Sequence, residues 1–199
     1  RVLTVRSFTE EQPDSTVNVE QPMVADDTQF AADVNEQINK FVDQYIEEAN
    51  QRIAEYREAF LATGGTEEEF EQKNIQVDVD YEILSETEDR VSFVLRAAES
   101  DITAGKEIVY YNLDLTTGQV LTLEDVLGED WVNICNSSIQ EQMAENTDVS
   151  YFSEDQGGFT TVDENTSFYL DEDGSVVVVF PKYSIAPGAY GEQTFRIDA

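Results

Sequence analysis

The sequence offers 43 aspartate and glutamate side chains, no histidine and a single thiol, Cys135. The missing histidine removes Ser-His-Asp and Cys-His nucleophiles, histidine zinc sites and an imidazole pH switch. One cysteine allows neither an internal disulfide nor a cysteine metal cluster. It fits a cytosolic protein or a Gram-positive exported one, and Cys135 itself reads as a small core residue. Carboxylate chemistry remains. The best calcium-like run is Asp171, Asp173 and Ser175 around Gly174. With Gly174 at the sixth place of an EF-hand loop, the first place falls on Tyr169, so the pattern fails and a hairpin turn explains it. Glu67, Glu68 and Glu69 read as helix-start chemistry rather than ligands. A glycosidase needs two carboxylates facing each other across a cleft, and the sequence singles out no such pair. There is no Asp-Thr-Gly protease motif, no Gly-x-Ser-x-Gly elbow and no phosphate-binding glycine loop. The expectation is a binding protein, not an enzyme, with no metal and no cofactor.

Charge narrows the partners. Eleven Lys and Arg against 43 acids leave a formal charge of −32. Nucleic acids and anionic lipids are repelled by such a field, and a cationic partner is attracted. The chain is nonetheless 40% hydrophobic and 11% aromatic, which supplies a core and rules out disorder. Its 199 residues suit one good core, or two small subdomains sharing one.

The elements that must position any site follow from periodicity. Residues 1–14 begin with alternation and dissolve into Glu10, Glu11, Gln12 and Pro13, a leader, linker or edge strand. Residues 15–21 read as a short strand. From Thr28, the residues Phe30, Val34, Ile38, Phe41, Tyr45, Ala49, Ile53, Tyr56 and Phe60 step by three or four. That is one apolar stripe on a long helix, ended by Gly64-Gly65 and fit to cover a sheet. Thr66 and Glu69 form a capping box for a short further helix. After Asn74 the period becomes two, and three strands form an antiparallel meander with polar residues on one side, turning at Glu86–Asp89 and looping at residues 99–105. Residues 130–145 make a second helix, with Trp131, Ile134, Cys135, Ile139 and Met143 on one face. Residues 167–170 and 176–180 make a hairpin whose second strand, apolar throughout, belongs at a sheet centre. Residues 194–197 are a last strand. The fold class is α+β: antiparallel sheets packed against the long helix and the second helix. The division is residues 1–14 as leader, 15–118 as helix plus meander, and 119–199 as helix plus hairpin.

Two segments carry a resemblance. One runs Tyr110-Tyr111-Asn112-Leu113-Asp114-Leu115-Thr116-Thr117-Gly118-Gln119-Val120-Leu121-Thr122-Leu123-Glu124-Asp125-Val126-Leu127. The other runs from Phe168 through Asp171-Glu172-Asp173-Gly174 to Phe180, and continues as Tyr183-Ser184-Ile185-Ala186-Pro187-Gly188-Ala189-Tyr190-Gly191. Together they resemble the extracellular domain of RsiV-like anti-sigma factors and a related accessory domain of some peptidoglycan deacetylases. The resemblance covers residues 17–197. It implies a bacterial sensor on the outer face of the cell membrane, which binds lysozyme and thereby exposes the anti-sigma factor to cleavage. The membrane would be reached only through an anchor upstream, and the chain opens at Arg1 rather than Met, as a piece of a longer protein does. Where many relatives carry a Gly-Gly-Ala-His-like stretch, this chain has Thr103-Ala104-Gly105-Lys106-Glu107, so that histidine's role is absent. The alternative implied is a non-catalytic wall-binding module beside a peptidoglycan-modifying enzyme.

For a cationic protein such as lysozyme, the expected contact is the loop of residues 183–191. Tyr183 and Tyr190 offer amphipathic rings, and Ile185 and Pro187 offer apolar tips for a groove. The opposing reading packs Tyr183 and Ile185 inward as anchors. Ser100 and Thr103, in the loop before the third meander strand, are the second set of contact residues.

Overall fold

The computed structural model describes residues 2–198. Nine strands and four helices are present among them: β1 (Leu3–Glu11), β2 (Ser15–Val24), α1 (Gln29–Ala62), α2 (Glu67–Glu71), β3 (Ile75–Glu86), β4 (Arg90–Glu99), β5 (Ile102–Asp114), β6 (Gln119–Val120), α3 (Leu123–Leu127), α4 (Trp131–Glu145), β7 (Ser167–Leu170), β8 (Val176–Phe180) and β9 (Gln193–Arg196). One sheet has the order β1-β2-β3-β4-β5-β6 and the other β7-β8-β9. The fold is α+β.

The chain forms two compact units. One holds the residues up to Glu82 with Val94–Val109, the other Ile83–Phe93 with the residues from Tyr110 onward. Residues of β3, β4 and β5 are divided between the two. Residues 1–14, read as a leader or edge strand, contain β1, which pairs along its whole length with β2.

In the first unit, α1 starts where Thr28 accepts a hydrogen bond from the Ala31 N–H. Its buried stripe is Ala31, Val34, Ile38, Val42, Tyr45, Ala49 and Ile53. Phe30, Phe41, Tyr56 and Phe60 are only half-buried. Tyr56 and Phe60 pack instead on Phe70 of α2, at centroid distances of 5.2 and 5.6 Å. α1 lies against β2. The sheets were expected to be antiparallel, but β2, outside the expected meander, pairs with β3 in parallel, from Ser15↔Ile75 to Val19↔Val79. A parallel return needs a long crossover, and α1 supplies it. Alternation holds in β3, where Ile75, Val77 and Val79 are buried between exposed Asp78 and Asp80. It fails in β4, which is buried on both faces from Val91 to Leu95, so the meander has no continuous polar side. The loop expected at residues 99–105 is a tight turn, since β5 already begins at Ile102 and Asp101 takes a φ of +65°.

In the second unit, β8 is central and wholly buried, as its composition predicts. Cys135 and Ile139 of α4 pack with Phe168, Val178, Phe180 and Phe195, and Phe159 joins from the connecting segment. Among the described residues no strand pairs with the second edge of β7. Side chains replace one: Asn112 Nδ2 donates to Phe168 O at 2.9 Å, Asn112 Oδ1 accepts from Leu170 N at 3.1 Å, and Ser85 Oγ donates to Leu170 O at 2.6 Å. The Ser92 hydroxyl donates to the same Asn112 oxygen at 2.6 Å.

Candidate functional site

The loop after β8 is built by its own backbone. Ser184 N donates to Pro181 O, and Phe152 N to Ile185 O at 2.8 Å. Tyr190 N donates to Pro187 O and Gly191 N to Gly188 O, closing a single 3-10 turn, Gly188–Tyr190. Gln193 Nε2 donates to Tyr190 O. These bonds fix the loop before any partner arrives, which lowers the entropy lost on binding.

Its side chains divide into two sets. Ile185 and Ala186 are buried, and Ile185 belongs to the core of the second unit. Ile185 is therefore not a contact: its apolar side chain anchors the loop. Pro187 is half-buried. Tyr183 is 68% exposed and Tyr190 40%, two of the five large hydrophobic side chains that stand exposed among the described residues. Tyr183 also holds a φ of +73°, a left-handed backbone that an aromatic residue adopts at a cost of about 1–2 kcal/mol. Its ring lies over Gly188, where a methyl group would overlap it, and Lys182 Nζ sits 5.4 Å from the ring centroid. The sequence marked the two tyrosines. It gave no sign of the left-handed backbone or of Gly188 as the seat of the ring.

Ser100 and Thr103 flank the β4–β5 turn in the first unit, and both are exposed. Ser100 is partly committed, because its Oγ accepts from Gln76 N at 2.8 Å. Glu99, at the end of β4, forms a half-buried ion pair that the sequence did not reveal. Glu99 has no exposed side-chain surface, and Arg52 donates to it through Nε at 2.8 Å and Nη2 at 2.5 Å. Gly105 makes room, since a Cβ there would come within 2.8 Å of the guanidinium. Nearby, burial pushes the Tyr45 hydroxyl up to about 12, with the Glu99 carboxylate adding to the effect and Arg52 opposing it. Arg52 and Glu99 lie 47 residues apart, so no local spacing joins them.

The remaining polar motifs are structural. Asp171 Oδ1 accepts from Asp173 N and Ser175 N, both at 3.0 Å, and its other oxygen faces Arg196 at 3.5 Å. That carboxylate is spent on the β7–β8 turn. In the Asn112-x-Asp114 run, Asp114 Oδ1 accepts from Thr116 N and Thr117 N, and Gly118 supplies a φ of +68°. Burial raises the Cys135 thiol to about 11, which suppresses thiolate chemistry. Among the described residues no group of three metal-ligating side chains converges, and no helix is long and apolar enough to cross a membrane.

With this geometry in view, comparison with known proteins is informative. Residues 124–199, from within α3 to beyond β9, match the family model DUF3298, described as a protein of unknown function. Across nearly its whole length the chain is also similar to the anti-sigma-V factor RsiV of Bacillus subtilis strain 168: 24% identity over 204 residues, covering 99% of this chain and 67% of RsiV. Two crystal structures share the fold. A DUF3298 family member from Bacteroides fragilis NCTC 9343 is 17% identical, with a TM-score of 0.65 over 98% of this chain and 90% of that one. A DUF3298 family protein from Pseudomonas aeruginosa PAO1 is 15% identical, with a TM-score of 0.53 over 98% and 88%. The loop with Tyr183 and Tyr190 lies inside the segment that matches this family model, whereas Ser100, Thr103 and the Arg52–Glu99 pair precede it.

Proposed function

We propose that this chain is the extracellular sensor domain of a membrane-anchored, anti-sigma-factor-like protein, and that it recognises lysozyme or another cationic wall-associated protein. The observation that carries the reading is the similarity to an anti-sigma factor along 99% of the chain. The formal charge of −32 supports a cationic partner, because complementary fields raise the rate of encounter. In this reading the domain binds and does not catalyse. Tyr183, Tyr190 and Pro187 form the contact, held from behind by Ile185, and Ser100 and Thr103 form a second contact set.

The test is capture of hen-type lysozyme by the immobilised domain at low and high salt, repeated with Pro187→Ala and Tyr190→Ala combined. Paired hot-spot losses predict an affinity about tenfold or more lower, with thermal unfolding little changed. A folded double variant that binds as tightly as the parent removes the loop from the interface. No binding by the parent even at low salt removes lysozyme as the partner.

A further inference from the structure

We propose that the free edge of β1 is a docking site for an extended, basic segment of a partner protein, which joins the six-stranded sheet as an added strand. The direction of the backbone groups carries the argument. Ala25 N donates to Val2 O at 3.0 Å and Gln12 N to Ser15 O at 2.8 Å, so a bonded pair marks each end of the β1–β2 ladder. Between them the register is unbroken from Leu3↔Val24 to Glu11↔Thr16. Bonded and non-bonded pairs alternate in an antiparallel ladder, so Thr4, Arg6, Phe8 and Glu10 bond to β2. The N–H and C=O groups of Val5, Ser7 and Thr9 therefore point the other way. No strand of the described residues pairs with that edge.

Two other unpaired strand edges of this fold are closed by side chains. Beyond Val19↔Val79, β2 has no strand on its β3 side. There Pro22 has no N–H to leave open, and Asn35 of α1 accepts from Val24 N at 2.8 Å and donates to Val24 O at 3.1 Å. The second edge of β7 is closed by Asn112 and Ser85. β1 carries no proline, lysine or bulge, three of the usual guards of an exposed edge; its charged side chains are Arg6, Glu10 and Glu11. Its Val5 is 54% exposed.

Beside β1 runs a groove of about 500 Å³, with Phe8 and Ile46 as its apolar lining and Glu10 and Asp43 as its acids. The cation in it, Arg6, is already held by Gln21 and Asn39 and lies 4.8 Å over the Phe8 ring. Charge selects the occupant. A second copy would bring −32 against −32, whereas a segment alternating basic and apolar residues gains from both lining types.

The test uses the folded chain and a synthetic peptide of alternating lysine and valine, matched to the 9 residues of β1. Binding is read at low salt by fluorescence anisotropy and by amide exchange. The expected result is exchange at Val5, Ser7 and Thr9 slowed about tenfold or more, and affinity about tenfold lower for the same peptide N-methylated at alternate residues. Ser7→Pro, which removes an N–H that β2 does not use, should give the same loss. Should that variant fail to fold, the N-methylated probe decides alone, because it leaves the protein unaltered. Equal binding of both peptides, or unchanged exchange at the three amides, overturns the proposal by reducing the attraction to charge. A concentration-dependent dimer that Ser7→Pro abolishes overturns it in favour of a second copy. Neither readout depends on lysozyme, so this proposal and the loop assignment fail separately.

Discussion

Tyr183 combines two properties that stability alone does not select: a left-handed backbone under an aromatic side chain, and 68% exposure of that side chain. A buried ring could recover the backbone cost through apolar burial, but this one recovers little. Tyr183→Asn keeps a residue that tolerates the left-handed region and removes the ring. It is expected to stabilise the fold by about 1 kcal/mol, or roughly 2–4 °C in calorimetry for a chain of this size, while weakening capture of the cationic partner. A variant that gains no stability, or that binds unchanged, separates the strain from binding. Tyr45 shows the opposite case, a buried hydroxyl that makes no well-formed hydrogen bond among the described residues. Its pKa rises from 10.0 to about 12, first through burial and then through the Glu99 carboxylate. A folded pKa above the unfolded one means that this stability is complete below about pH 10 and is lost as pH climbs toward 12. Tyr45→Phe is expected to leave neutral-pH stability equal or about 1 kcal/mol higher, and to flatten the alkaline loss. Urea unfolding at neutral pH and at about pH 11 measures both. At this scale the sequence revealed the caps, the role of Cys135 and the two exposed tyrosines. It misplaced Ile185, because an apolar side chain between Ser184 and Ala186 reads the same facing in or out.

Elements were legible where a period runs long enough to name them. The stripe of α1, the alternation opening β3 and the apolar run of β8 each declare their type. Their partners were less legible. Period two names a strand without saying whether its neighbour runs parallel, so the β2–β3 pairing is not encoded in the pattern. Asparagines that stand in for missing strands were invisible for a related reason: Asn112 meets Phe168 and Leu170 across 56 and 58 residues. The expected consequence of Asn112→Ala is a large destabilisation. It orphans the Phe168 carbonyl and leaves the Leu170 N–H and the Ser92 hydroxyl with poorer partners, each worth roughly 1 kcal/mol or more when buried. Urea unfolding should show a loss of about 3 kcal/mol. A loss below about 1 kcal/mol means that the edge of β7 closes without this side chain.

For the whole molecule, the dominant quantity is the unbalanced charge. Ion pairs among the described residues engage four arginines with five carboxylates, and only Glu99 of those carboxylates is fully buried. Forty-three acids therefore face mostly each other and water. Repulsion among like charges destabilises a compact chain, and salt shortens its reach from about 10 Å at 0.1 M to about 3 Å at 1 M. The Arg52–Glu99 pair, with its carboxylate fully buried, is screened less than the surface charges, so what salt chiefly removes is repulsion. Adding sodium chloride from about 0.02 M to 0.5 M is expected to raise the melting temperature by a few degrees. The same screening acts with opposite sign on a cationic partner, slowing its association and lowering its affinity. The signature is thus a protein that grows more stable with salt as it binds less well, read by calorimetry and by association rates across one salt series. A melting temperature that falls with salt would mean that local pairs outweigh the net field, and steering by charge would lose its basis.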